Sequence, residues 1–382
     1  TTMPSMMMKS TRVTPAMRRT NVARRNVAVK ANVADFADEL LKTANHITSP
    51  GKGILAMDES NATCGKRLES VGVENTEENR RRYRELLVST PNLGEHIGGA
   101  ILFEETLYQS TKDGKPFVDV LNGAGVLPGI KVDKGLRPMC NSNGESWCMG
   151  LDGLAERCDE YYKQGARFAK WRSVISIPDG PSRKAMVDCA YGLARYAAIC
   201  QNSGLVPIVE PEILLDGEHD IDRTFEVASQ TWAETFKFLE DQDVLLDRIL
   251  LKPSMVGPGA DCPKRNTADE VAAATLRMLN SRVPPAVPGI MFLSGGLSEL
   301  DSTLYLNAMN QSPNPWHVSF SYARALQNTV LKTWSGDDAK VAEAQEILFN
   351  RTKDNGMAQL GKFDAENTSV NSDGMFVRNY QY

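Results

Sequence analysis

Lys252 closes the apolar run Arg248-Ile-Leu-Leu-Lys252 and is followed by Pro253. An amine set in an apolar wall is disfavoured as a cation, because burial removes the water that stabilises its charge. A second ammonium, for which Lys170 in Phe168-Ala-Lys-Trp-Arg172 is the candidate, would disfavour it further. Moving a lysine from its reference near 10.4 to about 7 to 8 takes roughly 3–4 kcal/mol, which burial at a strand end can supply. Such a lysine is a nucleophile toward carbonyl carbon. The plainer reading is an ion pair from Lys252 to Glu210 or Glu212. These two glutamates flank Pro211, so in extended chain they share a face. Carboxylates that share a site push one pKa upward, which suits general acid work. Asp58, ending Gly53-Ile-Leu-Ala-Met-Asp58, is a second group for proton transfer. A lysine, several carboxylates and no metal motif read together as Schiff-base chemistry on a carbonyl compound. The histidines (His46, His96, His219, His317) lack metal-ligand spacing, and His317 reads as a core residue, so no metal and no cofactor is expected.

Anion binding has its own candidates. Ser294-Gly295-Gly296 offers backbone amides that an anion can approach closely, and Arg324 follows the next strand. Arg67, with Lys66 beside it, is a second candidate, although a solvated helix face explains it equally well.

The elements that must position these groups are short β-rich runs alternating with long amphipathic segments. The runs are Gly53–Asp58, Ile97–Glu104, Gly129–Asp133, Phe168–Arg172, Val206–Glu212, Arg248–Lys252, Ile290–Ser294 and Trp316–Phe320. Between them, Phe225, Ala228, Trp232, Phe236 and Leu239 recur at helical spacing, as do Met186, Cys189, Ala190, Leu193, Ala197 and Cys200. Thr267-Ala-Asp-Glu270 predicts a capping box, and Ser298-Glu-Leu-Asp301 another helix start. Strand and helix in alternation mean parallel strands, and near-continuous apolar runs mean burial on both faces. Eight such units predict an α/β fold, a closed (β/α)8 TIM barrel. An open doubly wound sheet is the alternative, but the Gly-rich turn expected after its first strand is missing. Barrels build their sites at the C-terminal ends of strands. Here those ends carry Asp58, Glu104, Lys131 with Asp133, Lys170 with Arg172, Glu210 with Glu212, Lys252, Ser294 and Arg324, so acids and bases converge at one mouth.

Residues 1–30 hold seven bases and no acid, whereas the whole chain of 382 residues has 43 Lys+Arg against 48 Asp+Glu. The rest of the chain is therefore strongly acidic, which argues against nucleic acid or an anionic membrane as partner. No stretch approaches the roughly 18 consecutive apolar residues of a membrane-spanning helix. The Met-, Ser- and Arg-containing segment 1–30 has the composition of an organelle transit peptide, with a solvated basic tail as the simpler explanation. Residues 31–356 are expected to form the barrel domain and residues 357–382, polar and Gly/Asn/Ser-containing, a flexible C-terminal tail. The seven cysteines form no C-x-x-C pair; Cys140 and Cys148 flank a Gly/Asn/Ser-rich loop and are the candidate redox pair.

The ordered motifs GKGILAMDES (51–60), ENTEENRR (74–81), GIKVDKG (129–135), FAKWR (168–172), VPIVEPEI (206–213), LLKPSM (250–255), VPPAVPGIMFLSGG (283–296) and SFSYARAL (319–326) resemble those of class I fructose-bisphosphate aldolases of the plant and algal plastid type. The resemblance covers nearly all of residues 35–335. It implies a TIM barrel with an extra N-terminal helix, usually a homotetramer, that reversibly cleaves fructose 1,6-bisphosphate into glycerone phosphate and D-glyceraldehyde 3-phosphate. It also implies service in glycolysis, gluconeogenesis and the Calvin cycle, and formation of sedoheptulose 1,7-bisphosphate. On that resemblance Lys252 is the Schiff-base lysine, Glu210 the principal acid/base with Glu212 in support, and Lys170 the cation that tunes the site. Asp58 handles the C4 hydroxyl, and the tail tyrosine Tyr382 aids proton exchange at the enamine. Ser60, Arg67, Lys131, Arg172, Ser294, Gly295 and Arg324 match sugar and phosphate contacts. Two positions depart from the common pattern, Leu297 in place of a glutamine and Ala323 in place of a glycine. The plastid character of the motifs and the basic leader point to the chloroplast stroma. The competing reading is a phosphosugar-binding or scaffold protein on the same barrel.

Overall fold

The computed structural model describes residues 33–366, 368 and 370–378. The leader 1–30 and Tyr382 lie outside the described residues. Eight strands carry the fold: β1 (Gly53–Met57), β2 (Ile97–Leu102), β3 (Leu127–Lys131), β4 (Phe168–Ile175), β5 (Val206–Ile213), β6 (Leu250–Leu251), β7 (Gly289–Phe292) and β8 (His317–Tyr322). Each pairs in parallel with the next, and β8 returns to β1 with Ile54 opposite Ser321 and Leu55 opposite Tyr322. The sheet is closed, which sets aside the open doubly wound alternative. Parallel neighbours require crossovers, and helices supply them. Two start where the sequence says they must. Thr267 and Glu270 form a reciprocal capping box ahead of Ala268–Arg282, and the Ser298 hydroxyl accepts the Asp301 N–H ahead of Glu299–Met309.

Because side chains alternate along a strand, every second residue points into the barrel. The inner set includes Ile54 and Ala56 of β1, Ile101 of β2, Phe168 of β4, Val206 and Ile208 of β5, Leu250 of β6 and Met291 of β7, all buried. The other set packs outward against the helices. Helix Val33–Ile47 closes the end where strands begin: Leu40, Ala44 and Ile47, on one face, join the inner cluster. Continuing the alternation toward the strands' C-terminal ends puts Asp58, Lys170, Glu210 and Lys252 inward, above that apolar floor.

Some elements differ from their sequence reading. β6 spans only Leu250–Leu251, because Leu246–Arg248 forms a 3-10 turn before it and Pro253, which has no N–H to donate, follows it. The Lys252 N–H still bonds to the Val209 carbonyl at 2.8 Å, so the lysine remains tied to β5. β4 and β5 instead run past the expected ends, which places Arg172, Glu210 and Glu212 within strands. The segment around Cys140 and Cys148, read as a loop, contains an antiparallel ribbon in which Leu136 faces Cys148; both cysteines are free thiols. The final helix runs Val341–Gln359, held there by the buried Ala358 and by Gln359, whose side chain accepts the Gly51 N–H at 2.7 Å.

Gly129 sits directly opposite Phe168 across β3 and β4, and a Cβ at Gly129 would lie 2.3 Å from the Phe168 ring. Gly129→Ala is therefore expected to destabilise the barrel by about 1–3 kcal/mol through overpacking. The check is a urea melt with a lowered midpoint and unchanged slope; an unchanged midpoint would show that this layer has slack.

Candidate active site

Two strands and the ends of two others bring four ionisable groups into contact above the apolar floor. The Lys170 ammonium (β4) hydrogen-bonds Asp58 Oδ2 at 3.0 Å and lies 2.9 Å from Glu210 Oε2 (β5). Lys252 Nζ, just past β6, lies 3.2 Å from Glu210 Oε1. All four side chains are essentially excluded from solvent. Ions are buried only when paired, because each costs several kcal/mol to dehydrate. Here two ammoniums and two carboxylates compensate one another, with Lys170 shared between both acids.

The electrostatics act in opposite senses on Lys252 and Asp58. Burial acts most strongly on Lys252 and lowers its pKa from the ordinary 10.5; Lys170 pushes in the same direction, while Glu210 and Asp58 oppose. For Asp58, burial would raise the pKa, but the fields of Lys170, Lys252 and Lys131 outweigh it and hold the carboxyl below 3.8. Asp58 is thus a carboxylate in the neutral pH range, and its Oδ1 has no hydrogen-bond partner among the described residues, leaving an acceptor for an incoming hydroxyl. Both oxygens of Glu210 lie at ion-pair distance without hydrogen-bond geometry, so that carboxylate too has acceptor capacity in hand.

Glu210 and Glu212 do not act as a pair that shares a site, as their spacing suggests. Glu212 is engaged by Arg172 Nε instead. Burial would raise its pKa, but Arg172, Lys170 and Lys252 hold it below the usual carboxylate range, so the expected upward push is absent at Glu212. Around the rim the pattern continues: the Arg172 backbone N–H reaches Asp133 Oδ2 at 3.4 Å, and Asp133 Oδ1 accepts from Lys131 at 2.7 Å. Ser60, Lys131, Asp133, Lys134, Arg137 and Arg172 line a cavity of about 310 Å³ at the mouth. Ser60 also caps helix Asn61–Glu69, accepting the Thr63 N–H at 3.3 Å. Arg67 is clamped by the buried Glu59, which Arg84 holds from the other side at 2.9 Å, while Lys66 faces solvent.

On the opposite rim, Ser294 is buried, and Gly295 and Gly296 adopt φ of 60° and 96°, a left-handed turn that favours glycine. A Cβ on Gly296 would also lie 2.8 Å from the Phe376 Cα. The tail crosses here: the Met375 N–H donates to the Gly296 carbonyl at 2.9 Å, and Arg324 donates to the Met375 carbonyl. A second cavity, of about 300 Å³, lies beside this loop, with Leu215, Met255, Leu293, Leu297, Tyr305 and Phe376 in its walls. Leu297, where the motif departs from its usual form, is thus packed against apolar neighbours.

Every sequence-predicted strand-end group joins one of these clusters; Glu104 lines the mouth cavity and accepts the Tyr161 hydroxyl at 2.7 Å. Glu59, Arg84 and Ser254 were not singled out. Ser254 both accepts the Ile213 N–H and donates to its carbonyl, tying the ends of β5 and β6. The only local signal for it is its place two residues after Lys252. Glu59 and Arg84 are 25 residues apart with no periodic relation. His317 is half-buried on the barrel wall, its Nε2 2.8 Å from the Lys52 carbonyl, and burial pushes its pKa to about 4, as suits a structural histidine. Among the described residues no group of three or more His, Cys, Asp or Glu side chains converges as a metal-ligand set.

Residues 39–382 match the family model described as fructose-bisphosphate aldolase class-I. The chain is 65% identical over 379 residues to fructose-bisphosphate aldolase 1, chloroplastic, of Chlamydomonas reinhardtii, covering 99% of this chain and all of that one. It is 64% identical to fructose-bisphosphate aldolase 1, chloroplastic, of Arabidopsis thaliana, covering 95% and 91% respectively. Among solved structures, it resembles fructose-bisphosphate aldolase from Plasmodium falciparum, crystallised with TRAP and a small-molecule inhibitor. The TM-score is 0.86 at 49% identity, covering 88% of this chain and 98% of that one.

The lowered pKa of Lys252 has a direct readout. Reductive methylation followed by mass spectrometry should titrate Lys252 with a midpoint below 10.5. Lys170→Met removes a like charge and should move that midpoint upward. A midpoint equal to that of exposed lysines would remove the desolvation argument.

Proposed function

The chain belongs to the class I fructose-bisphosphate aldolases, and from that premise we propose which of its own residues carry each step. The enzyme is a lyase that reversibly cleaves fructose 1,6-bisphosphate into glycerone phosphate and D-glyceraldehyde 3-phosphate through a lysine Schiff base. The observation that carries the assignment is Lys252: it is the buried amine with a depressed pKa, and an acid oxygen stands 3.2 Å away.

Lys252 yields a proton to Glu210 and attacks the C2 ketone as the free amine. The resulting carbinolamine loses water when Glu210 returns the proton to its hydroxyl, and an iminium remains. Asp58, held ionised by Lys170, takes the proton of the C4 hydroxyl. The C3–C4 bond breaks, its electron pair moves into the iminium, and glyceraldehyde 3-phosphate leaves an enamine behind. Protonation at C3, assigned to Tyr382 of the tail, restores the iminium, and water then releases glycerone phosphate and the free lysine. Glu212, paired to Arg172, and Lys170 hold the field in which these transfers occur. Ser60, Lys131 and Arg172 line the mouth cavity for one phosphate, with Arg67 beside it. Ser294, Gly295 and Arg324 serve the other, and the substrate's oxygens take the place of the Met375 carbonyl at Arg324. Two anchored ends let remote binding energy orient the reacting carbons.

The curated relatives named chloroplastic support a plastid stroma location, with 1–30 as a cleaved transit peptide and 31–356 as the barrel domain. The tail expected over 357–382 then begins only after Gln359, where the last helix ends, and reaches the active site. The assignment extends to a homotetramer without nucleic-acid or membrane partners, and to condensation of erythrose 4-phosphate into sedoheptulose 1,7-bisphosphate.

Borohydride reduction in the presence of glycerone phosphate tests the core of this reading. The adduct is expected on Lys252 and nowhere in Lys252→Ala. Asp58→Asn should still form it while C–C cleavage falls by about 10²–10⁴-fold, the usual range for losing a proton-transfer group. An adduct on another lysine, or a fully active Lys252→Ala, would overturn the assignment.

A further inference from the structure

Ser294–Gly296 and Arg324 follow different strands, β7 and β8, so the span between them depends on whatever joins the helices that begin there. That junction is a buried polar knot. Glu299 opens helix Glu299–Met309, yet its carboxylate is turned inward and only 1% of the residue is exposed. Its two oxygens accept from one residue of helix Arg324–Trp334: the Thr329 N–H at 3.0 Å and the Thr329 hydroxyl at 2.8 Å. Arg351 of the last helix, also buried, closes the knot. Its Nη2 donates to the Glu299 carbonyl at 2.8 Å, to Thr303 Oγ1 at 3.0 Å and to the carbonyl of Ala325, next to Arg324, at 3.1 Å. Thr303 in turn donates to the Glu299 carbonyl at 3.0 Å.

A buried carboxylate persists only where its acceptors are satisfied, and these bonds also have direction. They hold the first turn of one helix against the second turn of the other. The Ser298 cap lies two residues past Gly296 and Ala325 lies one past Arg324, so the knot sets the distance between the loop amides and the guanidinium. We propose that Glu299, acting with Thr329 and Arg351, is a positioning residue for the phosphate on the substrate's ketone half. The proposal rests on the reading of Lys252 as nucleophile: β7, which carries the Ser294 loop, pairs with β6 beside that lysine, so the phosphate one carbon from C2 falls to this cradle. A hydrogen-bonded knot that served only the fold would stabilise the protein without distinguishing phosphorylated from unphosphorylated ketones.

The experiment compares borohydride trapping on the full-length protein with glycerone phosphate and with dihydroxyacetone, which has the same carbonyl and no phosphate. Thr329→Val removes the hydroxyl at nearly constant volume, Glu299→Ala removes the carboxylate, and Glu299→Gln keeps one acceptor oxygen. For Thr329→Val and Glu299→Ala, the glycerone phosphate concentration giving half-maximal trapping should rise about tenfold while that for dihydroxyacetone stays unchanged. Glu299→Gln should recover most of the loss. With fructose 1,6-bisphosphate the same variants should raise KM more than they lower kcat. If Glu299→Ala fails to fold, Thr329→Val carries the test. A parallel shift for both ketones, or no shift for either, would overturn the positioning role. Absence of any Lys252 adduct in the unaltered protein would instead overturn the nucleophile assignment on which it rests.

Discussion

The buried contact of Lys170 with both Asp58 and Glu210 is the constraint around which the site is arranged. One ammonium must satisfy two carboxylates that arrive on different strands, and it can do so only if β1, β4 and β5 are held on one closed wall. The same cation makes Asp58 a carboxylate and disfavours charge on Lys252. An ionised carboxylate and a lysine of lowered pKa, groups of opposite electrostatic demand, therefore coexist in one buried cluster. The stability cost of burying these ions is met by the apolar floor beneath them, from Ile54 and Phe168 to Met291, and by the plug of helix Val33–Ile47.

The rims add candidate anion contacts around this centre. Each cationic candidate among the anion contacts is already engaged in the structure: Lys131 by Asp133, Arg172 by Glu212, Arg67 by Glu59, and Arg324 by the Met375 carbonyl. Carboxylates fix the first three side chains in place, which lowers the ordering cost when a phosphate binds. Arg324 is engaged by a backbone oxygen of the tail, the Met375 carbonyl. The tail is thereby tied to the rim that carries Ser294 and Gly295.

Much of this was legible from the sequence because the barrel repeats one rule eight times. Near-continuous apolar runs end in or are closely followed by charged residues, and those residues, Asp58, Lys131, Lys170, Glu210, Lys252 and Arg324, are the ones the fold gathers. Where that rule loosens, so did the reading. β6 shortened between a 3-10 turn and Pro253, and the ribbon at 136–148 arose from a stretch whose composition suggests only a loop. Glu210 and Glu212 look like one acid pair, yet β4 brings Lys170 to the first and Arg172 to the second.

The chain order by itself determined the class of fold, the side of each strand that faces inward and the residue types available for chemistry, because these follow from local periodicity and strand–helix alternation. Tertiary structure decided the partners. Which cation meets which carboxylate, whether Glu299 is a surface helix start or a buried knot, and where the tail carbonyl lands all depend on contacts between residues from 25 to more than 100 positions apart. Charges carry no label of their counterion along the chain, since the pairing energy depends on distance and burial, and both are set only once the barrel has closed.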